Sequence, residues 1–383
     1  MAVDQHSIDK LIEWMVNGAR PSANARDIVV GICTRLHDAG VPVDRFILFV
    51  YTLHPNLMGR RFRWQPGEEV DMAEAPVSTT SSFEYQNNPL PHVLEKQTSI
   101  RRKLYDKNCP QDYPIVEQLR GEGLTDYLIQ PLVFTTGETH ACSWSTKQQG
   151  GFDDEMIAVL ERVAAPLARL SETYMLRLNA ATLLSTYVGR NVGERILNGA
   201  VHRGDGEEIS AVILFVDIKN FTSLSNSIQS SSLLNLLNDT FDALVPPIEE
   251  AGGEILKFMG DGFFAIFPFD GEGDVMRAGN NAIYAINAGR KNIEMLAPDL
   301  HNSYRSALHF GSFHYGNIGG ANRLDFTAIG PCVNFAARLL SAGTELNADQ
   351  VISGELARKL GISFIVGQVS MKGFDGLQDV YAF

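Results

Sequence analysis

The stretch ISAVILFVDIKNFTSLS, residues 209–225, governs the reading of the C-terminal half of this chain. From Ile209 to Ile218 the run is apolar except for Ser210 and Asp217, and it is rich in Val and Ile. It is far shorter than the roughly 20 residues a helix needs to cross a bilayer. It also lacks the polar alternation of a strand with one wet face, so it reads as a strand buried on both sides. Residues 233–251 follow with an apolar stripe at Leu234, Leu237, Phe241, Leu244 and Ile248, the spacing of an amphipathic helix. Two short apolar runs, 254–258 and 263–267, flank Met-Gly-Asp-Gly and predict a hairpin. A helix is expected over 274–296 and a strand over 305–315. This strand–helix–strand–strand–helix–strand order predicts a ferredoxin-like α+β sheet with helices on one face.

Two carboxylates stand out against that pattern. Asp217 ends the first strand, and Asp261 sits in the hairpin turn between Gly260 and Gly262. Neighbouring strands of such a sheet bring both to one edge, and one or two carboxylates plus substrate phosphates suit Mg²⁺. Taken alone, either aspartate reads more readily as structural, Asp261 as an ordinary turn residue.

Four segments carry a family resemblance: FVDIKNFTSLS from 215, GGEILKFMGDGFFAIFP from 252, HFGSFHYGNIGG from 309 and LDFTAIGPCVNFAARLL from 324. In order and spacing they resemble the class III nucleotidyl cyclase catalytic domain over about residues 203–383. The resemblance implies that Asp217, Asp261 and the Ile218 carbonyl hold two Mg²⁺ or Mn²⁺ ions, and that Asn220, Phe221 and Thr222 receive the β- and γ-phosphates. It implies that Asn334 orients the ribose and Arg338 stabilises charge on the α-phosphate. Lys257 and Thr327 fall on the base-reading positions, where a Lys-and-Thr pair resembles a bacterial branch using ATP. A lysine donates to adenine N1 and a threonine hydroxyl accepts from the 6-amino group; guanine presents the reverse pattern. The implied partners are ATP and a second copy of the chain, in a homodimer whose active sites lie at the subunit interface. Pro331 and Cys332 depart from an Asp-Thr pair common in the family, and Lys372-Gly373-Phe374 stands where some members have a phosphate-binding lysine. A guanylate cyclase and a catalytically inactive nucleotide-binding regulator are the rival readings.

The 383 residues suit more than one domain. The assignments are 1–152 for a regulatory domain, 153–208 for a helical connector and 209–383 for the catalytic domain. In the first, helices are expected over 8–16 and 25–39 and strands over 45–53, 127–134 and 140–146, with 65–125 irregular. Segment order, together with DYLIQPLVF and GGFDDEM, resembles GAF-like sensory domains. The connector has apolar residues at Met156, Leu160, Val163, Leu167, Leu170, Tyr174 and Leu178, close to a heptad seam. That seam fits a last helix packing on its own domain as well as a parallel two-helix connector; Pro166 opposes a long regular coiled coil. A formal net charge of −13 disfavours nucleic acid and anionic lipid as partners. With no signal-like leader, no membrane-spanning run and four scattered cysteines, the expected location is the cytoplasm.

Overall fold

The structure, a computed structural model, describes residues 2–22, 24–296, 304–321 and 323–383. It divides into two compact units, Met1–Leu183 and Leu184–Phe383. Among the described residues, no helix is long and apolar enough to cross a membrane.

The first unit runs α1 (Gln5–Val16), α2 (Ala25–Asp38), β1 (Arg45–Tyr51), β2 (Leu57–Trp64), β3 (Asp71–Pro76), α3 (Phe83–Gln86), α4 (Pro89–Lys96), β4 (Ile100–Arg102), α5 (Pro114–Gly121), β5 (Asp126–Val133) and β6 (Thr139–Thr146), then the long α6 (Asp154–Val188). The six strands form an antiparallel sheet in the order β3-β2-β1-β6-β5-β4. One face packs Phe46, Leu48, Val50 and Trp144 against α1, α2 and α6. The other packs Tyr127 and Ile129 against Val93 of α4 and Val116 and Leu119 of α5. The seam Met156, Leu160, Val163, Leu167 and Leu170 is buried in the first of these clusters, with Tyr174 and Leu178 packed on its edge. Up to Leu178, then, this stripe serves the unit's own core.

The expectation of an irregular 65–125 segment is corrected: it holds β3, α3, α4, β4 and α5. Asn88-Pro89 and Tyr113-Pro114 look like breaks, yet each proline opens a helix at the first position, where a missing N–H costs nothing. The preceding strand β2, LMGRRFRW, escaped notice because its arginines mask the alternation of Met58, Phe62 and Trp64.

The second unit opens with α7 (Arg190–Leu197) and continues β7 (Gly206–Ile218), α8 (Phe221–Ser225), α9 (Ser230–Glu250), β8 (Glu254–Met259), β9 (Gly262–Pro268), α10 (Val275–Leu296) and β10 (Tyr304–Gly319). Then come β11 (Leu324–Ile329), α11 (Pro331–Glu345), β12 (Gln350–Ser353), α12 (Gly354–Leu360), β13 (Ile365–Ser370) and β14 (Leu377–Ala382). The eight-stranded sheet has the order β13-β14-β12-β10-β7-β9-β8, with β11 paired to β10. Its centre, β10-β7-β9-β8 with α9 and α10, is the expected ferredoxin-like arrangement. β7 is buried on both sides: Val212, Leu214 and Val216 face the α9–α10 cluster, while Ala211, Ile213 and Phe215 join the cluster of α7 and α11.

Helix α9 carries Pro246 and Pro247 in its interior. Pro247 has no N–H for the carbonyl of Ala243, one turn back. Asn292 of α10 supplies the missing donor, its Nδ2 giving a 3.1 Å bond to that oxygen. The two helices are close enough that a Cβ on Gly289 would lie 2.7 Å from Leu244 Cδ2.

Candidate functional site

The ladder positions Asp217. It stands opposite Gly262 of β9 on one side and Arg305 of β10 on the other. Asp261 lies in the turn between β8 and β9, and its carbonyl accepts a 3.0 Å bond from Ile218 N–H, so turn and strand end are tied together. The glycines are required here. Gly260 has φ +65°, and a Cβ on Gly262 would fall 2.0 Å from Val216 O. The structure thus brings Asp217, Ile218 and Asp261 to one rim of the sheet.

Arg305 is the member of this site that sequence reasoning missed. Its Nε donates to Asp217 Oδ1 at 2.9 Å and its Nη2 to Oδ2 at 3.0 Å, a two-pronged grip. Burial pushes the Asp217 carboxyl above its usual range; Arg305 pulls it back and the nearby Asp261 pushes it up again. The detectable signal was only its place at the start of the strand expected over 305–315. A second unforeseen ion pair, Lys219 Nζ to Asp349 Oδ1 at 2.8 Å, anchors the chain just after Ile218.

Could these groups hold metal ions? Two carboxylates and a carbonyl at a strand end are hard oxygen donors, the set Mg²⁺ and Mn²⁺ take. The mutual repulsion of the carboxylates, already met on one side by a guanidinium, favours a cation. Among the described residues no group of three or more His, Cys, Asp or Glu forms a self-sufficient metal cage. The donor set therefore fits ions that take their remaining ligands from a substrate and water.

Asn220 has φ +56° and caps α8, whose first residues are Phe221 and Thr222. The left-handed turn swings the chain off β7 and leaves the early N–H groups of α8 without intrahelical partners. Asn334 and Arg338 lie one turn apart on the exposed side of α11, while Phe335, Ala336 and Leu339 are buried on the other. Arg338 makes no ion pair among the described residues.

Lys257 projects from β8 and pairs with Asp325 of β11. Thr327 lies two residues after Asp325, on the same side of β11, opposite Gly316 of β10. Asp325 was not foreseen; it bridges two elements distant in sequence. Among the described residues no hydrogen bond or ion pair joins the aspartate rim, the Lys257–Thr327 group and the Asn334–Arg338 face within one chain.

His309 and His314 sit on β10. His309 is buried with Nδ1 2.8 Å from Ser353 Oγ, and burial holds its pKa near 4.

Residues 206–380 match the family model described as adenylate and guanylate cyclase catalytic domain. An adenylate cyclase of Anabaena cylindrica is 29% identical over 185 residues, 44% of this chain and 36% of that one. The terminal-differentiation specific adenylate cyclase of Dictyostelium discoideum is 27% identical over 191 residues, 47% of this chain and 9% of that one. The chain thus spans about a third or less of the length of these two relatives. Among solved structures, the adenylyl cyclase CyaB from P. aeruginosa is similar at 26% identity and a TM-score of 0.41, covering 46% of this chain and 94% of that one. With its four motifs, its βαββαβ sheet and its aspartate rim, the segment 206–380 has the features of the adenylate and guanylate cyclase catalytic domain whose model it matches.

Proposed function

We propose that the chain is an ATP-using cyclase that releases 3′,5′-cyclic AMP and pyrophosphate, regulated through its N-terminal, GAF-like unit. The observation that carries the chemistry is the Asp217–Asp261 rim with its tied turn. Asp217, Asp261 and the Ile218 carbonyl would hold two Mg²⁺ or Mn²⁺ ions. When bound, those ions lower the pKa of the ribose 3′-hydroxyl and offset the charge of the triphosphate. Free N–H groups of the Asn220-Phe221-Thr222 turn hold the β- and γ-phosphates. The 3′-oxygen loses its proton and bonds to the α-phosphorus as the bond to the β-phosphate oxygen breaks, in line, and pyrophosphate leaves. Arg338 donates to the non-bridging α-phosphate oxygens as charge builds there, and Asn334 fixes the ribose.

Base choice rests on Lys257 and Thr327. The Lys257–Asp325 pair lies two residues from Thr327 on one side of β11, which supports their acting together on one base. Two copies of the chain are needed in this reading: the aspartate rim of one faces Lys257, Thr327, Asn334 and Arg338 of the other, giving two equivalent sites by symmetry. The absence of any polar link between these groups within one chain, among the described residues, supports it. The deciding measurement is cyclic nucleotide formed by purified protein from ATP and from GTP, with Mg²⁺ and with Mn²⁺. Cyclic AMP in clear excess is expected. Cyclic GMP in excess would overturn the substrate, and no product under any condition would overturn the enzyme.

A further inference from the structure

Between the sheet of the first unit and its α3–α5 side lies a cavity of about 410 Å³. That volume falls in the range of small-molecule sites, about 300–1,000 Å³. Its walls are mixed. Phe49, Met58, Tyr85, Leu90, Ile115 and Ile129 provide an apolar, partly aromatic surface, and Thr79, Ser82, Asn88 and Ser143 add neutral hydrogen-bonding groups.

The sheet wall also carries two arginines, Arg45 and Arg61. Arg45 is only 8% exposed. Among the described residues its sole ion pair is a loose one, 3.6 Å from Nε to Glu122, and that Nε makes no hydrogen bond. Burial, with Arg63 and Arg61 close by, presses its guanidinium below the usual range, against the pull of Glu122 and Tyr127. Arg61 shares a single carboxylate, Asp71, with Arg63, at 2.7 and 3.6 Å, and its buried Nε is likewise without a partner. Of the acids on the wall, Glu74 is engaged by Arg60 at 3.0 Å, and Glu84 stands on exposed α3. Two guanidinium Nε atoms buried without an acceptor are costly as they stand, since buried polar groups nearly always find a partner. A fold retains them where something else brings the acceptor.

We propose that this cavity binds a small planar molecule with an apolar, aromatic body and one anionic group, the anion meeting Arg45 and Arg61 and the body lying against Phe49, Tyr85 and Ile129. Charge-assisted bonds from a guanidinium to a carboxylate, sulfonate or phosphate oxygen are the strong kind, and both arginines offer the Nε edge of a planar fork. A second cavity, of similar volume on the opposite face between α2 and α6, is lined mainly by Leu, Ile, Val and Met with Arg26 and Arg60 on its wall, and Arg60 is already engaged by Glu74 at 3.0 Å. The proposal deepens the regulatory part of the proposed function by naming a ligand class, but binding concerns the first unit alone.

The probe is anilinonaphthalene sulfonate, whose fluorescence rises on burial, with the uncharged N-phenylnaphthylamine of the same ring skeleton as its control. Both are titrated into the full chain and into Arg61→Gln and Arg45→Gln. The sulfonate should bind one-to-one and lose about tenfold in affinity in each variant, while the neutral amine binds all three proteins alike. Arg61 is the safer position, because its side chain is 43% exposed, so folding should survive there even if Arg45→Gln does not fold. Equal sulfonate affinity for wild type and Arg61→Gln would overturn the proposal by placing the probe elsewhere, the opposite-face cavity included. So would the absence of saturable one-to-one binding. The readout is independent of catalysis, so an inactive enzyme and a false site give different results.

Discussion

The two units solve the same problem, a sheet covered on both faces, and put their charges in opposite places. In the second unit Asp217 and Asp261 sit at the end of a strand and the tip of a hairpin, where a substrate can reach them from outside. In the first, Arg45 and Arg61 stand on the sheet face and line a cavity. A rim built from turns is suited to turning over a polyanion; a cavity built from strand faces is suited to holding a ligand. The comparison teaches that the chemistry of each unit follows from whether its charges end strands or interrupt their faces.

The largest effect should come from the rim. Asp217→Asn or Asp261→Asn removes charge at constant shape, so activity should fall by at least about 10²–10³ in protein that still folds. Substantial turnover in either rim variant would erase the contrast between the units. The shared-site reading predicts the next effect. Asp217→Ala and Arg338→Ala homodimers should each be nearly dead. Co-expressed with free exchange, about half the dimers are mixed with one intact site each, and recovery should approach roughly a quarter of wild type. Verified mixed dimers without activity would put the whole site in one chain.

Base selection comes third. Lys257→Glu with Thr327→Cys should lower the ATP-to-GTP ratio of kcat/KM, because donor and acceptor are exchanged. Here Asp325 intervenes, since the new glutamate would face its carboxylate. Adding Asp325→Asn should enlarge the shift; no enlargement would mean that the pair seen in the structure does not persist with nucleotide bound.

Two smaller effects concern pH. If Asp217 acts ionised, the rate falls as pH drops through its pKa. Arg305→Gln removes the group that pulls this pKa down, so the acid limb of the rate profile should move to higher pH. An unmoved limb would show that another group sets it. In stability the sign is opposite: a folded-state pKa above the unfolded value means the folded form holds its proton more tightly, so this carboxylate favours folding less as pH rises through that window. The histidines behave the other way. His140 in the first unit and His309 in the second are both held near pKa 4 by burial, well below the usual 6.5. Between those values the unfolded chain binds more protons, so both units should lose stability as pH falls from about 6.5 towards 4. His140→Gln and His309→Gln should each flatten that decline in melting temperature. A variant with the wild-type slope would show that its histidine is not part of the acid response.

How legible all this was in the sequence differs by unit for a physical reason. The βαββαβ core and the aspartate pair could be read because each depends on local signals: a run without polar breaks, an amphipathic stripe, glycines around one aspartate. Arg305 and Asp325 were not legible, because each matters through a cross-strand or cross-element partner that spacing does not reveal. The first unit suffered most. β2 alternates arginines with its apolar residues, α4 and α5 open on prolines that imitate breaks, and its cavity draws on residues from Arg45 to Ser143.

The patched helix α9 bears on how the chain is made. Translation runs from the N-terminus, and at about 5–20 residues per second the segment holding Asn292 follows Pro247 by seconds. During that interval the carbonyl of Ala243 has neither its helical donor nor its replacement, and Leu244 and Ile248 have no α10 to cover them. The nascent second unit therefore cannot close this helix in order of synthesis; it must wait for α10. Any truncation ending before Asn292 freezes the chain at that stage, with an open backbone acceptor beside bare apolar side chains, and such fragments should be recovered bound to chaperones or as aggregates.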